Sequence, residues 1–522
     1  MTDPVIQPFE GARHYPGAQA LGELLPERTL RAPDALALQM ADGEAWSWAR
    51  LAAETGAIQA GLAGRGLVAG DHVALMCDNS LRMVATLCAI VGAGMVAIPI
   101  NTALVDRGLA FVLGHCDTQL LIADPPYLER CLALGAIEAG RCISTEEGGL
   151  DWPTAFGQAG ELVARGCGLD PALIIYTSGT TGDAKGAAIS HATALAGAAG
   201  AAGVMLEADA QSVIYTSLPL FHCAAQQMGL WAALLSGAQL VLAARFSATS
   251  FWEHVRRYRV TAFLFVGPMT SILWKAPPSP QDRRHTVRLA VGGGPRLAWS
   301  EFEERFNLKF VECYGMTETF GGCVTHRPGR GREGSVGKAL AHVEVDVLDE
   351  QGLRAAVGTA GQIVLRPRSS DALFSGYYKR PDLTAAAMKQ GCFQTGDLGV
   401  LDADGYLFYQ SRARDIIRRR GENISALAVE AAAVGCPGIA DCGVVGVPSE
   451  LGEEDLLAVL VADGTAPPMQ VLVEQLRQRL PAFAVPRYLC FADSLPKTVT
   501  GRLQRHLLRP LATMAFDREK SR

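Results

Sequence analysis

The apolar run Ile174-Ile175-Tyr176, followed by Thr177-Ser178-Gly179-Thr180-Thr181-Gly182-Asp183-Ala184-Lys185-Gly186, constrains this chain more than any other stretch. The first three residues are strand formers, and the loop after them is rich in hydroxyls, broken by glycines and closed by a lysine. Glycines let successive backbone N–H groups converge, hydroxyls donate without charge, and Lys185 brings a mobile cation. A strand delivering such a turn is expected to bind phosphates, with ATP as the ligand. No Gly-Lys-Ser/Thr triplet closes the loop, so it is not a Walker A element. Composition alone leaves a plain surface turn with a solvated Lys185 as the other reading.

At 522 residues the chain exceeds the usual size of one domain, so at least two domains are expected. A composition 49% hydrophobic and 19% charged belongs to a folded chain. The 47 basic and 53 acidic residues leave a formal charge of −6, which offers no bulk attraction to nucleic acid or anionic membrane. Thirteen cysteines without zinc-like pairing read as buried thiols in a reducing compartment. The polar, early-acidic stretch from Met1 to Glu10 does not resemble a secretory leader, and the apolar stretches at Leu87–Ile100 and Ala192–Val204 are too short to span a bilayer. The cytoplasm is the expected location, without integral membrane association.

Strand, helix and strand alternate early in the chain. Val73–Met76 reads as a buried strand, Asp78-Asn79-Ser80 as the cap of a helix running through Ile90, and Val96–Ile100 as the next strand. That spacing predicts a largely parallel α/β sheet. Further strands are expected at Leu120–Ala123, Val213–Thr216, Gln239–Ala243, Val260–Val266 and Val287–Val291. His222, beside Phe221 on the loop after one of them, is a candidate for substrate chemistry, against a core or surface histidine as the plainer reading. Gly292-Gly293-Gly294 follows another strand, where backbone is expected to approach a ligand plane. Beyond a strand at Lys309–Cys313 lies Tyr314-Gly315-Met316-Thr317-Glu318-Thr319: Tyr314 could stack on a base, Thr317 donate to phosphate, and Glu318 hold Mg²⁺.

After Glu344 the pattern turns to strands with tight turns. Asp404-Gly405 between apolar flanks marks a hairpin, and Asp397 just before it could accept ribose hydroxyls. The run from Arg412 to Gly421 carries five arginines and leads into a smaller α+β pattern, so the boundary is placed there: 1–411 as the N-terminal domain and 412–522 as the C-terminal domain, with a hinge near Arg414. The arginines read as a solvated face, a polyanion patch or part of a nucleotide site.

Together these segments resemble the adenylate-forming superfamily of acyl-CoA synthetases, luciferases and peptide-synthetase adenylation domains, from about Trp46 to Leu507. Tyr176–Gly182 with Lys185-Gly186 is similar to that family's phosphate loop, Tyr314–Glu318 to its adenine and magnesium segment, Thr395-Gly396-Asp397 to its ribose aspartate, and Arg412–Asp415 to its hinge. The resemblance implies an α/β fold with a large multi-subdomain N-terminal domain and a small, mobile α+β C-terminal domain. It also implies an AMP-forming acid–thiol ligase: a carboxylate attacks the α-phosphorus of ATP and releases pyrophosphate, then a thiol takes the acyl group and AMP leaves. Its cofactors would be ATP, Mg²⁺ held at Glu318 and Thr181, and coenzyme A. Lys185, Thr317, Glu318 and the loop residues Thr177, Ser178, Gly179, Thr180, Thr181 and Gly182 would supply the electrostatic stabilisation. Rotation at the hinge would let one site exclude water in the first step and admit a thiol in the second.

Arg412 is expected to approach ribose or phosphates. Arg418, Arg419 and Arg420 are expected to attract the phosphates of coenzyme A, with Gly421-Glu422-Asn423 along the thiol's approach. The segment Arg420–Ser425 resembles the carnitine/crotonobetaine ligase branch. Where the family has Gly-Lys near its C-terminus this chain has Gly501-Arg502, so Arg502 is expected to contact carboxylate and α-phosphate in place of that lysine, with Lys497 as the other candidate. His222 is expected to position the acid, and Phe221, Met228, Trp231, Phe265, Val266, Gly292 and Gly293 to form an apolar pocket wall. The expected partners are a small carboxylic acid and CoA, with a homodimer among the allowed assemblies. Two alternatives stand beside the ligase: an enzyme loading a carrier-protein phosphopantetheine, set back because no carrier is fused after residue 522, and a catalytically weak nucleotide-binding regulator.

Overall fold

The computed structural model describes residues 18–146, 156, 159–177, 184–294, 299–412, 416–419, 422–449, 454–497 and 503–520. Two compact units emerge, one from the described residues up to Val345 together with Leu365–Phe393, the other from Asp346–Val364 together with the chain from Gln394 onward. The units therefore interleave along the chain, whereas the expected boundary at 411/412 is a single point. The difference arises because Asp346–Val364 packs with residues later in the sequence.

The first unit is built on two mixed sheets. Among the described residues one has nine strands, in the order Lys338–Ala339, Gly321–Thr325, Lys309–Met316, Leu289–Gly293, Ala262–Val266, Val213–Thr216, Gln239–Leu242, Leu36–Met40 and Ala45–Ser47. Its six central strands run parallel and its edges antiparallel. The other has seven, in the order Gly376–Tyr377, Lys185–Ser190, Pro171–Thr177, Val96–Pro99, His72–Met76, Leu120–Ala123 and Cys142–Ser144. Five of these are parallel, and the strands flanking the phosphate-loop sequence form an antiparallel hairpin at one edge.

The continuous apolar runs mark these strands because both faces are covered: Val73–Met76 and Leu120–Ala123 are buried at every position. Between them the helix Leu81–Gly92 begins at Ser80, whose hydroxyl accepts from the Met83 N–H at 3.1 Å, as its cap sequence predicts. It stops where Gly94 adopts φ +75°, a conformation that only glycine takes without strain. No helix among the described residues is long and apolar enough to cross a membrane. None of the thirteen cysteines is in a disulfide, and most are buried.

In the second unit, residues 397–401 of the strand Cys392–Leu401 pair with Leu407–Arg412 across the turn at Asp402–Gly405, where Gly405 has φ +79°. Farther along, Ile439–Pro448, Glu454–Ala462, Tyr488–Phe491 and Phe516–Asp517 form a four-stranded sheet. The helices Ala426–Val434 and Met469–Arg477 contribute Val429, Ala433, Leu472 and Leu476 to a core that includes Val444, Leu456 and Leu489. The α+β pattern read from the sequence is thus realised.

Candidate active site

The strands Pro171–Thr177 and Leu289–Gly293 end at two of the expected site segments, and open α/β sheets bind their ligands outside such carboxyl ends. Thr177 closes the strand Pro171–Thr177 and lies directly across from Lys185. Its hydroxyl reaches the Lys185 carbonyl at 3.4 Å. Lys185 is therefore the first residue of the return strand rather than a loop residue, and its ammonium is held from a backbone that cannot wander. The Lys185 Nζ lies 5.0 Å from the centroid of the Tyr377 ring, a cation–π contact, and the Tyr377 hydroxyl donates to Glu318 Oε1 at 2.6 Å. One aromatic ring thus joins the expected phosphate cation to the expected metal carboxylate. Ser178, Gly179, Thr180, Thr181 and Gly182 lie outside the described residues.

The strand Lys309–Met316 extends beyond its expected end at Cys313 and carries Tyr314 inside it, largely buried. Thr317–Thr319 then form one 3₁₀ turn, locked by the Thr319 hydroxyl, which accepts from the Met316 N–H at 2.9 Å. This turn presents Thr317 and Glu318. The Glu318 carbonyl also accepts from the Phe374 N–H at 2.8 Å. Gly292 and Gly293 end the neighbouring strand, and Gly294 has φ +69°. A Cβ on Gly292 would stand 2.0 Å from the Phe265 carbonyl oxygen, so strand packing by itself demands glycine there.

His222 sits against Phe221, ring centroids 4.6 Å apart. Its Nε2 is buried and has no hydrogen-bond partner among the described residues, and burial pushes the ring's pKa down to about 4. A neutral imidazole with an unmet polar atom is costly unless a ligand completes it. The loop bearing it is held by Asn79, whose amide donates to the Leu218 and Ala243 carbonyls at 2.9 and 3.1 Å and accepts from the Leu220 N–H at 2.8 Å.

In the second unit Asp397 is 2% exposed and opposes Arg412 across the hairpin, with Arg412 Nε 2.9 Å from its Oδ1. The Thr395 hydroxyl accepts from the Asp397 N–H at 3.0 Å. Both residues expected at the ribose are therefore partners of one another. Arg414, Arg420, Gly421 and Arg502 lie outside the described residues. Lys497, the other candidate for the adenylation cation, is ion-paired with Asp441. Arg419 does not fit its expected role: it is 2% exposed and bound to Asp455 and Glu519, so it cannot attract CoA phosphates. The pocket wall also needs correction. Trp231 faces a small cavity lined by Leu21, Leu25 and Gln59, and Phe265 packs edge-on to Phe310, so both rings belong to the core.

The sequence matches the family model described as AMP-binding enzyme over residues 25–378, and the one described as AMP-binding enzyme C-terminal domain over residues 428–502. The chain belongs to the AMP-binding enzyme family. It is 30% identical over 463 residues to a crotonobetaine/carnitine–CoA ligase of Proteus mirabilis, covering 85% of this chain and 89% of the relative. It is 29% identical over 457 residues to the long-chain-fatty-acid–CoA ligase FadD13 of Mycobacterium tuberculosis, covering 85% and 88%. Among solved structures, ATP-bound MatB from Rhodopseudomonas palustris aligns with a TM-score of 0.83 at 27% identity, over 94% of this chain and 98% of that one. The o-succinylbenzoate CoA synthetase of Bacillus subtilis, in complex with its acyl-adenylate, aligns at 0.81 and 26%, over 93% and 97%.

Three groups of this AMP-binding enzyme escaped the sequence reading. Tyr377 carries no local signal. Gln227 does: an amide inside an apolar helical run must find buried partners. Glu312, in register with Gly292, has an enclosed carboxyl whose Oε1 accepts from the Gly294 N–H at 3.3 Å. Desolvation raises its pKa to about 8. The folded protein keeps that proton up to about pH 8, whereas an unfolded chain loses it near the ordinary 4.5, so stability falls as pH rises through this window. Glu312→Gln is expected to melt about 2 °C or more above the wild type at pH 8 and to show no such gain near pH 5, as measured by thermal denaturation across pH.

Proposed function

We propose that this enzyme activates an apolar carboxylic acid, using Lys185, Thr317, Glu318 and Arg502 around the nucleotide and His222 at the acid. The reaction is ATP-dependent acid–CoA ligation: a carboxylate oxygen bonds to the α-phosphorus and pyrophosphate leaves, then the CoA sulfur bonds to the acyl carbon and AMP leaves. The observation that carries the residue assignment is the Lys185–Tyr377–Glu318 line, which sets a cation over one ring and a carboxylate at that ring's hydroxyl, beside the Thr317 turn. Negative charge gathers on phosphorus and its oxygens as the acid attacks, and fixed donors aimed there lower the barrier. His222, neutral and short of a partner, suits a hydrogen bond to an acid oxygen.

Mg²⁺ fits this arrangement. No cluster of three ligating side chains exists among the described residues, so an all-protein cage is not the form expected. Mg²⁺ on nucleotide phosphates needs only one or two carboxylates. Glu318, oriented by Tyr377, would hold it, with Thr181 as the second group, and the ion would neutralise phosphate charge. Arg412 would orient Asp397 toward the ribose, and rotation near Arg414 would separate the two half-reactions. A cytoplasmic location accords with thirteen cysteines outside any disulfide, and the net charge of −6 gives nucleic acid no bulk attraction. A homodimer is the assembly kept in this reading.

The test is a panel of short, medium, aromatic, dicarboxylic and betaine acids assayed for AMP release with and without CoA. Acid-dependent exchange of pyrophosphate into ATP, followed by thioester formation on free CoA, is the expected result. Exchange without a CoA thioester would instead indicate a carrier-loading enzyme, and no exchange with any acid a nucleotide-binding regulator. The relatives' names favour neither alternative.

A further inference from the structure

The short edge strand Gly376–Tyr377 runs antiparallel to Lys185–Ser190, with Tyr377 opposite Ala187. Side chains alternate along a strand, so Lys185, two residues before Ala187, stands on the same face as Ala187 and Tyr377. Lys185 and Tyr377 are then diagonal neighbours, a separation that a long side chain and an aromatic ring can bridge. This register brings the ammonium to 5.0 Å from the ring centroid. The ring has little freedom of its own. Tyr377 is 8% exposed, its N–H donates to the Thr384 hydroxyl at 2.8 Å, and the Tyr378 N–H donates to the Gly186 carbonyl at 2.8 Å. The Phe374 ring meets it edge-on with centroids 4.9 Å apart, and the Phe374 N–H holds the Glu318 carbonyl.

Two opposite charges thus meet one aromatic side chain without meeting each other. Among the described residues no ion pair joins Lys185 to Glu318: the ammonium takes the ring, and one carboxylate oxygen takes the hydroxyl at 2.6 Å. A lysine stem is flexible enough to swing onto a nearby carboxylate, and a direct pair would neutralise both groups. A cation already matched by a carboxylate does little for charge gathering on a phosphate, and the matched carboxylate holds a metal less well. A cation–π contact is weaker than a charge-assisted hydrogen bond, so it yields the ammonium readily to phosphate oxygens.

We propose that the ring of Tyr377 is a spacer that keeps the Lys185 ammonium from pairing with the Glu318 carboxylate, so that both charges stay open to ATP. Tyr377 is a positioning residue in this arrangement, acting through the other two. The inference rests on the nucleotide roles proposed for Lys185 and Glu318 and adds the group that keeps them usable.

The test is the dissociation constant for ATP, measured by isothermal titration calorimetry in EDTA so that no metal takes part. The proteins are the wild type, Tyr377→Leu, Tyr377→Phe, Glu318→Gln and the double variant Tyr377→Leu, Glu318→Gln. Tyr377→Leu is expected to bind ATP at least about tenfold more weakly than the wild type, because the ammonium falls onto the carboxylate. The double variant is expected to return to within about threefold of Glu318→Gln alone, since a neutral amide no longer traps the lysine. Tyr377→Phe keeps the ring and is expected to stay within about threefold of the wild type. Unchanged affinity in Tyr377→Leu overturns the spacer, and so does a loss that Glu318→Gln fails to restore, which would make Tyr377 a packing residue. A Tyr377→Phe variant as weak as Tyr377→Leu moves the role to the hydroxyl and overturns it too. Melting curves check folding, and Tyr377→Met takes the place of Tyr377→Leu if the latter does not melt cooperatively. A wild type that binds no ATP would defeat the nucleotide roles themselves, whereas ATP binding indifferent to these substitutions defeats only the spacer.

Discussion

Lys185→Ala is expected to slow acyl-adenylate formation at least tenfold and toward the roughly 10²–10³ typical of losing one preorganised charge at a reacting centre. Lys185 is the only cation between Thr177 and Gly186. Its backbone is fixed in a strand opposite Thr177, and its ammonium rests over Tyr377, whose hydroxyl holds Glu318. A cation placed this way needs little reorganisation when the phosphorus gathers charge. Lys185→Arg keeps the charge and the ring contact but changes reach and hydrogen-bond geometry, so it should recover part of the rate. The measurement is acid-dependent exchange of labelled pyrophosphate into ATP, with melting curves to show that both variants fold. Wild-type exchange kinetics in Lys185→Ala would remove the lysine from the reaction.

Arg419→Met is expected to destabilise the second unit by about 3–5 kcal/mol, the usual consequence of stripping one partner from a buried ion pair. Arg419 is 2% exposed; its Nε lies 2.7 Å from Asp455 Oδ1, its Nη2 3.0 Å from Glu519 Oε1, and its Nη1 donates to the Phe483 and Val485 carbonyls at 3.0 and 3.3 Å. Arg487 lies 2.9 Å from Asp455 Oδ2 and 3.1 Å from Asp517 Oδ2, so the guanidinium pair ties the hairpin Ile416–Ser425 to the four-stranded sheet. Loss of Arg419 leaves Asp455 with half of its neutralisation and removes the donor to the Phe483 carbonyl, while Arg518 still donates to that of Val485 at 3.3 Å. The double variant Arg419→Met, Asp455→Leu should recover much of the loss, because an apolar pair removes the stranded charge. Denaturant unfolding of both variants decides the matter. If the single variant melted like the wild type and instead raised KM for CoA, the residue would be a phosphate binder after all.

Parallel strands such as Val73–Met76 and Leu120–Ala123 are covered on both faces and so must be continuously apolar, which makes them visible without coordinates. The Asp404-Gly405 turn and the Ser80 cap are equally local, since each depends on residues only a few positions apart. The loop sequence at Thr177–Gly186, the Thr317-Glu318 pair and Asp397 are short, ordered signals of the same local kind, and the phosphate, metal and ribose roles proposed for them rest on side chains only a few positions apart.

Tertiary structure alone decided which charges are available. Five arginines in one run look alike on paper, yet Arg419 turns inward to Asp455 because a strand from much later in the chain places that carboxylate beneath it. Tyr377 reaches both Lys185 and Glu318 only because a short edge strand pairs with Lys185–Ser190, and Met228 meets Cys313 only because Gln227 clamps one element to another. Chemistry carried by a motif is written in neighbouring residues. Partnership depends on contacts between distant segments, and those exist only once the chain has packed.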